Sequence, residues 1–203
     1  MATYWSSGNV VFVERMVTTW YLAIHIGFIF MALGLDVVNL LLDKSSKIAR
    51  SFTAFNNLIF ISVVFPFGLF VPLTYWSLFF YNYNLILPNI VEITVPNWVS
   101  TSSHSVISLV ALLEMITTKY TYKGNYILAL TMMTVFSASY ITCLIGTYVQ
   151  FGFWVYPVLH LVPEEELWMV FLALAAKLVA LFFFGAGVSF LIHGVKPGKD
   201  RDN

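Results

Sequence analysis

The sequence of 203 residues is poor in charge and almost without cysteine: ten Lys or Arg, ten Asp or Glu, and one Cys. Charged side chains make up 10% of the chain, against about 25% in an ordinary soluble domain, which excludes a water-soluble globule and a charge-rich disordered chain alike. A net charge of zero leaves no basic face to neutralise phosphates, so nucleic acid is excluded as a partner. The lone Cys143 rules out an intramolecular disulfide framework and the Cys clusters of structural zinc or iron–sulfur sites. No metal and no cofactor is expected.

What the chain has in abundance is apolar surface, 60% of its residues, with a mean hydropathy of +0.84. A helix of about 20 apolar residues crosses the hydrocarbon core of a bilayer. Five runs reach that length: Val17 to Leu42, Phe55 to Tyr81, Trp98 to Thr117, Tyr126 to Val149, and Leu167 to Ile192. They are continuous, without the ten-residue alternation of a membrane β-barrel. The expected fold is an all-α polytopic membrane helix bundle forming a single transmembrane domain over residues 1–203. The first run, which follows no basic segment and precedes no cleavage site, reads as a retained anchor.

Cytoplasmic loops near membrane spans collect Lys and Arg. Lys44, Lys47 and Arg50 follow the first span, Lys119 and Lys123 the third, and Lys196, Lys199 and Arg201 the fifth. The alternate loops, Asn82 to Asn97 and Gln150 to Glu166, have none and carry Glu92, Glu164, Glu165 and Glu166 instead. This pattern predicts an N-terminus outside and a C-terminus in the cytoplasm, in the endoplasmic reticulum or the plasma membrane. Trp5, Trp20, Trp76, Trp98, Trp154 and Trp168 then fall near the outer boundary as an aromatic belt.

Both outer loops are too apolar for solvated connectors: Leu85, Ile86, Leu87, Ile90, Val91, Ile93 and Val95 in one, Phe153, Trp154, Val155, Val158 and Leu159 in the other. They are expected to lie in the membrane interface or to fold back over the bundle, where they would roof a pocket open to lipid, suited to an amphiphilic ligand. Pro66 and Pro72 around Gly68 predict a kink in the second span.

Polar groups inside spans are costly, which makes them the functional candidates. Thr18, His25 and Asp36 are spaced by 7 and 11 residues, which puts all three within roughly 20° of one line along a helix. His104, among Ser102, Ser103 and Ser105, opens the third span, Glu114 lies deeper in it, and Lys177 sits mid-way along the fifth. Thr18 and His104 share the outer leaflet, where an alcohol and an adjacent base make a nucleophile. A helix start at His104 would keep its imidazole neutral and offer free N–H groups to an oxyanion. Structural readings compete with each of these. A membrane threonine ordinarily bonds its own helix backbone, histidines such as His25 and His104 tie helices together, and Ser102, Ser103 and Ser105 read as capping residues. Asp36, Glu114 and Lys177 read as pairing residues, or as an ion or proton path.

Several stretches resemble the androgen-induced protein and androgen-dependent TFPI-regulating protein family: Phe65-Pro66-Phe67-Gly68-Leu69-Phe70, then Val95-Pro96-Asn97-Trp98-Val99 leading to His104-Ser105 and Leu113-Glu114-Met115, then Phe153-Trp154-Val155-Tyr156-Pro157. The similarity runs from about Arg15 to about residue 190. It implies a multi-span membrane hydrolase of fatty acid esters of hydroxy fatty acids, with a threonine nucleophile on an early span and a histidine on a later one. By position these fall on Thr18, with Thr19 its neighbour, and on His104, with His25, Asp36 and Glu114 in support. The family usually has six spans, the additional one N-terminal. The expected partners are a lipid ester substrate and membrane lipids. The alternative functions are a small ion or proton transporter through Asp36, Glu114 and Lys177, and a non-catalytic membrane regulator.

Overall fold

The computed structural model describes residues 13–41, 46–82, 85 and 97–194. Trp5, Lys44, Lys196, Lys199, Arg201 and the apolar loop residues 86–95, Glu92 among them, lie outside the described residues.

A 3₁₀ turn, Val13–Arg15, leads into α1, Val17–Leu41. Next come α2 (Lys47–Ile59), a π-helical turn (Phe60–Val64) and α3 (Phe65–Asn82), which run on as one rod. Then follow α4 (Asn97–Thr117), α5 (Tyr126–Phe151), two 3₁₀ turns (Pro157–Leu161 and Glu164–Glu166) and α6 (Leu167–His193). Among the described residues there is no strand, and the chain is all-α as its continuous apolar runs require.

Four helical segments, namely α1, the rod, α5 and α6, are long and apolar enough to cross a membrane. In α4 the apolar part is the shorter stretch Thr101–Thr117. Large apolar side chains such as Phe30, Leu40, Ile127, Val149 and Leu191 stand exposed around the bundle, an arrangement that suits lipid and would aggregate in water. The protein is a multi-pass integral membrane protein.

Local sequence explains the ends of these helices. α2 begins at Lys47, eight residues before Phe55, because Ser46 caps it: the Ser46 hydroxyl accepts the Ala49 N–H at 3.1 Å. α5 ends at Gly152, whose φ of +74° is a left-handed conformation that a side chain would strain, and the Gly152 N–H closes on the Tyr148 carbonyl at 2.7 Å. Where a kink is expected at Pro66 and Pro72, a π turn stands just ahead of Pro66 and α3 continues through Pro72.

The rod is the central helix, with Phe60, Ile61, Val64 and Phe65 wholly buried. Lipid tails are as apolar as these side chains, so the helices associate through close packing and small residues rather than through escape from water. Gly68 shows this. A Cβ there would stand 2.7 Å from the Tyr21 hydroxyl of α1 and 3.0 Å from Ala111 Cβ of α4, so its absence lets three helices meet. Gly185 of α6 likewise leaves room for the Phe65 ring of α3 and for Tyr122 in the segment between α4 and α5.

The loop between α5 and α6 folds back onto the bundle, one of the two arrangements its apolar sequence allowed. Trp154, Val155 and Leu159 are buried in a cluster with Met16, Tyr75, Leu144 and Leu167. This alters the tryptophan belt: Trp98 and Trp168 are exposed, but Trp154 is buried and stacked on Tyr148, ring centroids 4.3 Å apart. The cluster around Tyr75 and Leu144 and the Tyr148 ring provide its environment, next to a 3₁₀ turn that opens at Pro157.

Candidate functional site

The start of α1 is anchored by groups far away in sequence. The Val17 N–H, one of the donors that a helix start leaves unpaired, donates to the Tyr156 hydroxyl of the folded-back loop at 2.9 Å. Tyr140 of α5 lies 3.0 Å from that hydroxyl and 3.2 Å from the Arg15 carbonyl. Arg15 itself donates to Thr147 at 3.0 Å and sits over the Phe151 ring. Burial holds the Tyr156 phenol above its ordinary pKa, so it keeps its proton.

This anchoring fixes Thr18, the second residue of α1, opposite α4. Thr18 Oγ1 lies 3.0 Å from His104 Nε2. Many other span hydroxyls turn back onto their own helices, as Ser62, Thr74, Thr117, Thr131 and Ser137 do. Thr18 sits too near its helix start for such a bond within α1. Thr19 is about 100° further round the helix.

His104 is 9% exposed and held on two sides. Its ring lies flat on Tyr75 of α3, centroids 3.8 Å apart and planes at 11°. Its Nδ1 is 3.3 Å from the Ser103 hydroxyl. With Nδ1 protonated and pointing at Ser103, Nε2 carries the lone pair toward Thr18, as a general base requires.

The helix start lies elsewhere than the position of His104 in the sequence predicts. α4 begins at Asn97, seven residues before His104, so the imidazole lies two turns inside the helix, beyond reach of its free N–H groups. It is Thr18 that occupies a helix start, where the positive end of α1 favours an oxyanion. Ser102, Ser103 and Ser105 accordingly lie inside α4 and do not cap it. Tyr75 was not among the candidates, since an aromatic residue within an apolar run carries no signal of its own.

His25, Asp36 and Glu114 gather elsewhere. They line a cavity of about 250 Å³ toward the opposite end of α1, together with Asn56 and Tyr120. His25 is 4% exposed, and its Nδ1 lies 2.6 Å from the Tyr21 hydroxyl, which donates to the Val64 carbonyl at 2.9 Å. Glu114 accepts from the Tyr120 hydroxyl at 2.6 Å. Burial first, and Glu114 second, hold the Tyr120 phenol well above its ordinary pKa, so it remains a donor.

Thus the stripe Thr18, His25, Asp36 divides between two places. Lys177 joins neither. It donates to Thr74 Oγ1 at 2.9 Å and lies over the Phe70 ring, so its partner is a hydroxyl and not Asp36 or Glu114. A path linking Asp36, Glu114 and Lys177 is not continuous in this arrangement. Among the described residues no cluster of His, Cys, Asp and Glu could hold a metal ion.

The chain is 34% identical over 115 residues to the human androgen-dependent TFPI-regulating protein, covering 57% of this chain and 50% of that one. With the protein of the same name from Mesocricetus auratus it shares 29% over 164 residues, 80% of this chain and 70% of the relative. With the human androgen-induced gene 1 protein it shares 30% over 106 residues, 52% and 44% of the two chains. The match to the first of these spans half of that relative's length. No solved structure matches. The family of FAR-17a/AIG1-like proteins matches residues 15–189, which include Thr18, His104, Tyr75 and the folded-back loop, and the chain belongs to that family.

Proposed function

We propose that this protein is a membrane-embedded hydrolase of lipid esters, with fatty acid esters of hydroxy fatty acids as its substrates. The observation that carries this reading is the 3.0 Å contact between the Thr18 hydroxyl and His104 Nε2, in a chain otherwise poor in intramembrane polar groups.

His104 Nε2 takes the hydroxyl proton as Thr18 Oγ1 attacks the ester carbonyl. The positive end of α1 stabilises the oxyanion that forms. The tetrahedral intermediate collapses by breaking the ester C–O bond. The proton on His104 passes to the departing oxygen, and the hydroxy fatty acid leaves. A water then gives its proton to His104 and attacks the acyl-threonine, returning the proton to Thr18 Oγ1 and releasing the fatty acid. Tyr75 and Ser103 keep the imidazole in the working orientation throughout.

On this reading the chemistry lies in the leaflet away from the cytoplasm, which the distribution of charge supports. Lys47 and Arg50 lie in the first turn of α2 and Lys119 and Lys123 in the segment between α4 and α5, whereas Glu164, Glu165 and Glu166 stand just before α6. The N-terminus is then lumenal or extracellular and the C-terminus cytoplasmic, in the endoplasmic reticulum or the plasma membrane. Cysteines introduced at Lys123 and at Glu165 should react with impermeant thiol reagents from opposite sides of sealed vesicles.

The decisive experiment measures ester hydrolysis in detergent by Thr18→Ala and His104→Ala. Each should lose activity by about 10²–10⁴-fold. Labelling by a serine/threonine-hydrolase probe should disappear in Thr18→Ala. Full activity in either variant sinks the mechanism.

A further inference from the structure

The cavity at the other end of α1 gathers several hydrogen-bond acceptors, beside the hydroxyls of Thr118 and Tyr120. The Tyr21 hydroxyl gives its single proton to the Val64 carbonyl, so the bond between Tyr21 and His25 must be donated by His25 Nδ1–H. That leaves His25 Nε2 as an acceptor, and this atom is buried without a partner. Asn56, 6% exposed on α2, lines the same cavity, and its Oδ1 is a second buried acceptor without a partner. Two carboxylates, Asp36 of α1 and Glu114 of α4, complete the set. Tyr120 spends its proton on Glu114.

No lysine or arginine is among the lining residues. Arg50 and Lys119 face a separate groove beside Asn57. Four acceptors, two of them carboxylates, therefore line a cavity to which the described residues contribute no Lys or Arg, and two buried acceptors without donors are costly. The required ligand is a hydrogen-bond donor with positive charge. Apart from the Thr118 hydroxyl the remaining wall is apolar: Phe28 is buried within it, and Ile29 and Leu33 of α1, both exposed, line it together with Val110 of α4. At about 250 Å³ the space holds a small head group with room to spare, since a water occupies about 30 Å³.

We propose that this cavity binds the protonated primary amine of a single-chain amphiphile, its head among His25, Asp36, Asn56 and Glu114 and its alkyl chain running between α1 and α4. A fatty acid, the product of the proposed hydrolysis, is repelled here by Asp36 and Glu114, so the site is distinct from that of Thr18 and His104. The reading does not depend on the hydrolase activity.

The test uses the full chain in nanodiscs at pH 7 and a long-chain primary amine bearing a diazirine in its alkyl chain. Photolabelling should map to the Ile29–Asp36 and Val110–Glu114 segments. Dodecylamine should compete, while dodecanol and dodecanoate should not. Glu114→Gln and Asp36→Asn should each weaken labelling by about tenfold, the usual effect of losing one charge-assisted bond, and Asp36, being exposed, tolerates the change without unfolding the bundle. Thr18→Ala should label as the unaltered chain does. Equal competition by dodecanol, undiminished labelling in Asp36→Asn, or loss of labelling in Thr18→Ala would overturn the proposal.

Discussion

His104 lies flat against Tyr75, ring centroids 3.8 Å apart and planes at 11°, and this stack between α4 and α3 aims Nε2 at the hydroxyl of Thr18 on α1. Three helices thus meet at one imidazole. The ring can neither flip nor tilt without losing the contact.

Tyr75→Phe keeps the stack and should retain most hydrolytic activity. Tyr75→Leu removes it, and aromatic pairs of this kind are worth about 0.5–1.5 kcal/mol. The expected result is a fall in kcat of about tenfold with KM little altered, read from ester hydrolysis in detergent. A fall in Tyr75→Phe as large as in Tyr75→Leu would assign the role to the phenol instead.

Ser103 is the partner of Nδ1 at 3.3 Å, a long contact. Its loss in Ser103→Ala should cost about threefold to tenfold in kcat/KM, in keeping with a net hydrogen bond of about 0.5–1.5 kcal/mol. Steady-state kinetics of the purified variant decide this, with no change in thermal midpoint expected.

Gly68→Ala places a methyl against the Tyr21 hydroxyl and Ala111 Cβ. Overpacking of this sort costs about 1–3 kcal/mol, measurable as a lower thermal midpoint in detergent. Tyr21→Phe removes one of the clashing atoms but also the bond to His25. The double variant should therefore be more stable than the sum of the two single losses predicts, a positive coupling of about 0.5 kcal/mol or more.

Lys177→Met replaces an ammonium held by one hydroxyl and one aromatic face with a chain of similar volume. Hydrolysis should be unchanged and stability equal or slightly greater, because an intramembrane charge is costly to keep. A selective loss of proton flux in reconstituted vesicles would favour the transporter reading and is not expected.

Much of this was determined by the sequence alone. Continuous apolar runs with few charges leave the backbone no choice but helices, because lipid offers no partner for unpaired N–H and C=O groups. The scarcity of polar residues likewise singled out Thr18, His25, Asp36, His104, Glu114 and Lys177. Their grouping was beyond its reach. Helical phase aligned Thr18 with His25 and Asp36, but phase says nothing of what faces each turn, and the fold sends Thr18 to His104 and the other two to a cavity with Glu114 and Asn56. Ser46 extended α2 ahead of its apolar run, Gly68 let α1 and α4 close on the rod, and Tyr156 reached 139 positions back to anchor Val17. Each depends on contacts between residues distant in the chain, and only tertiary packing could decide them.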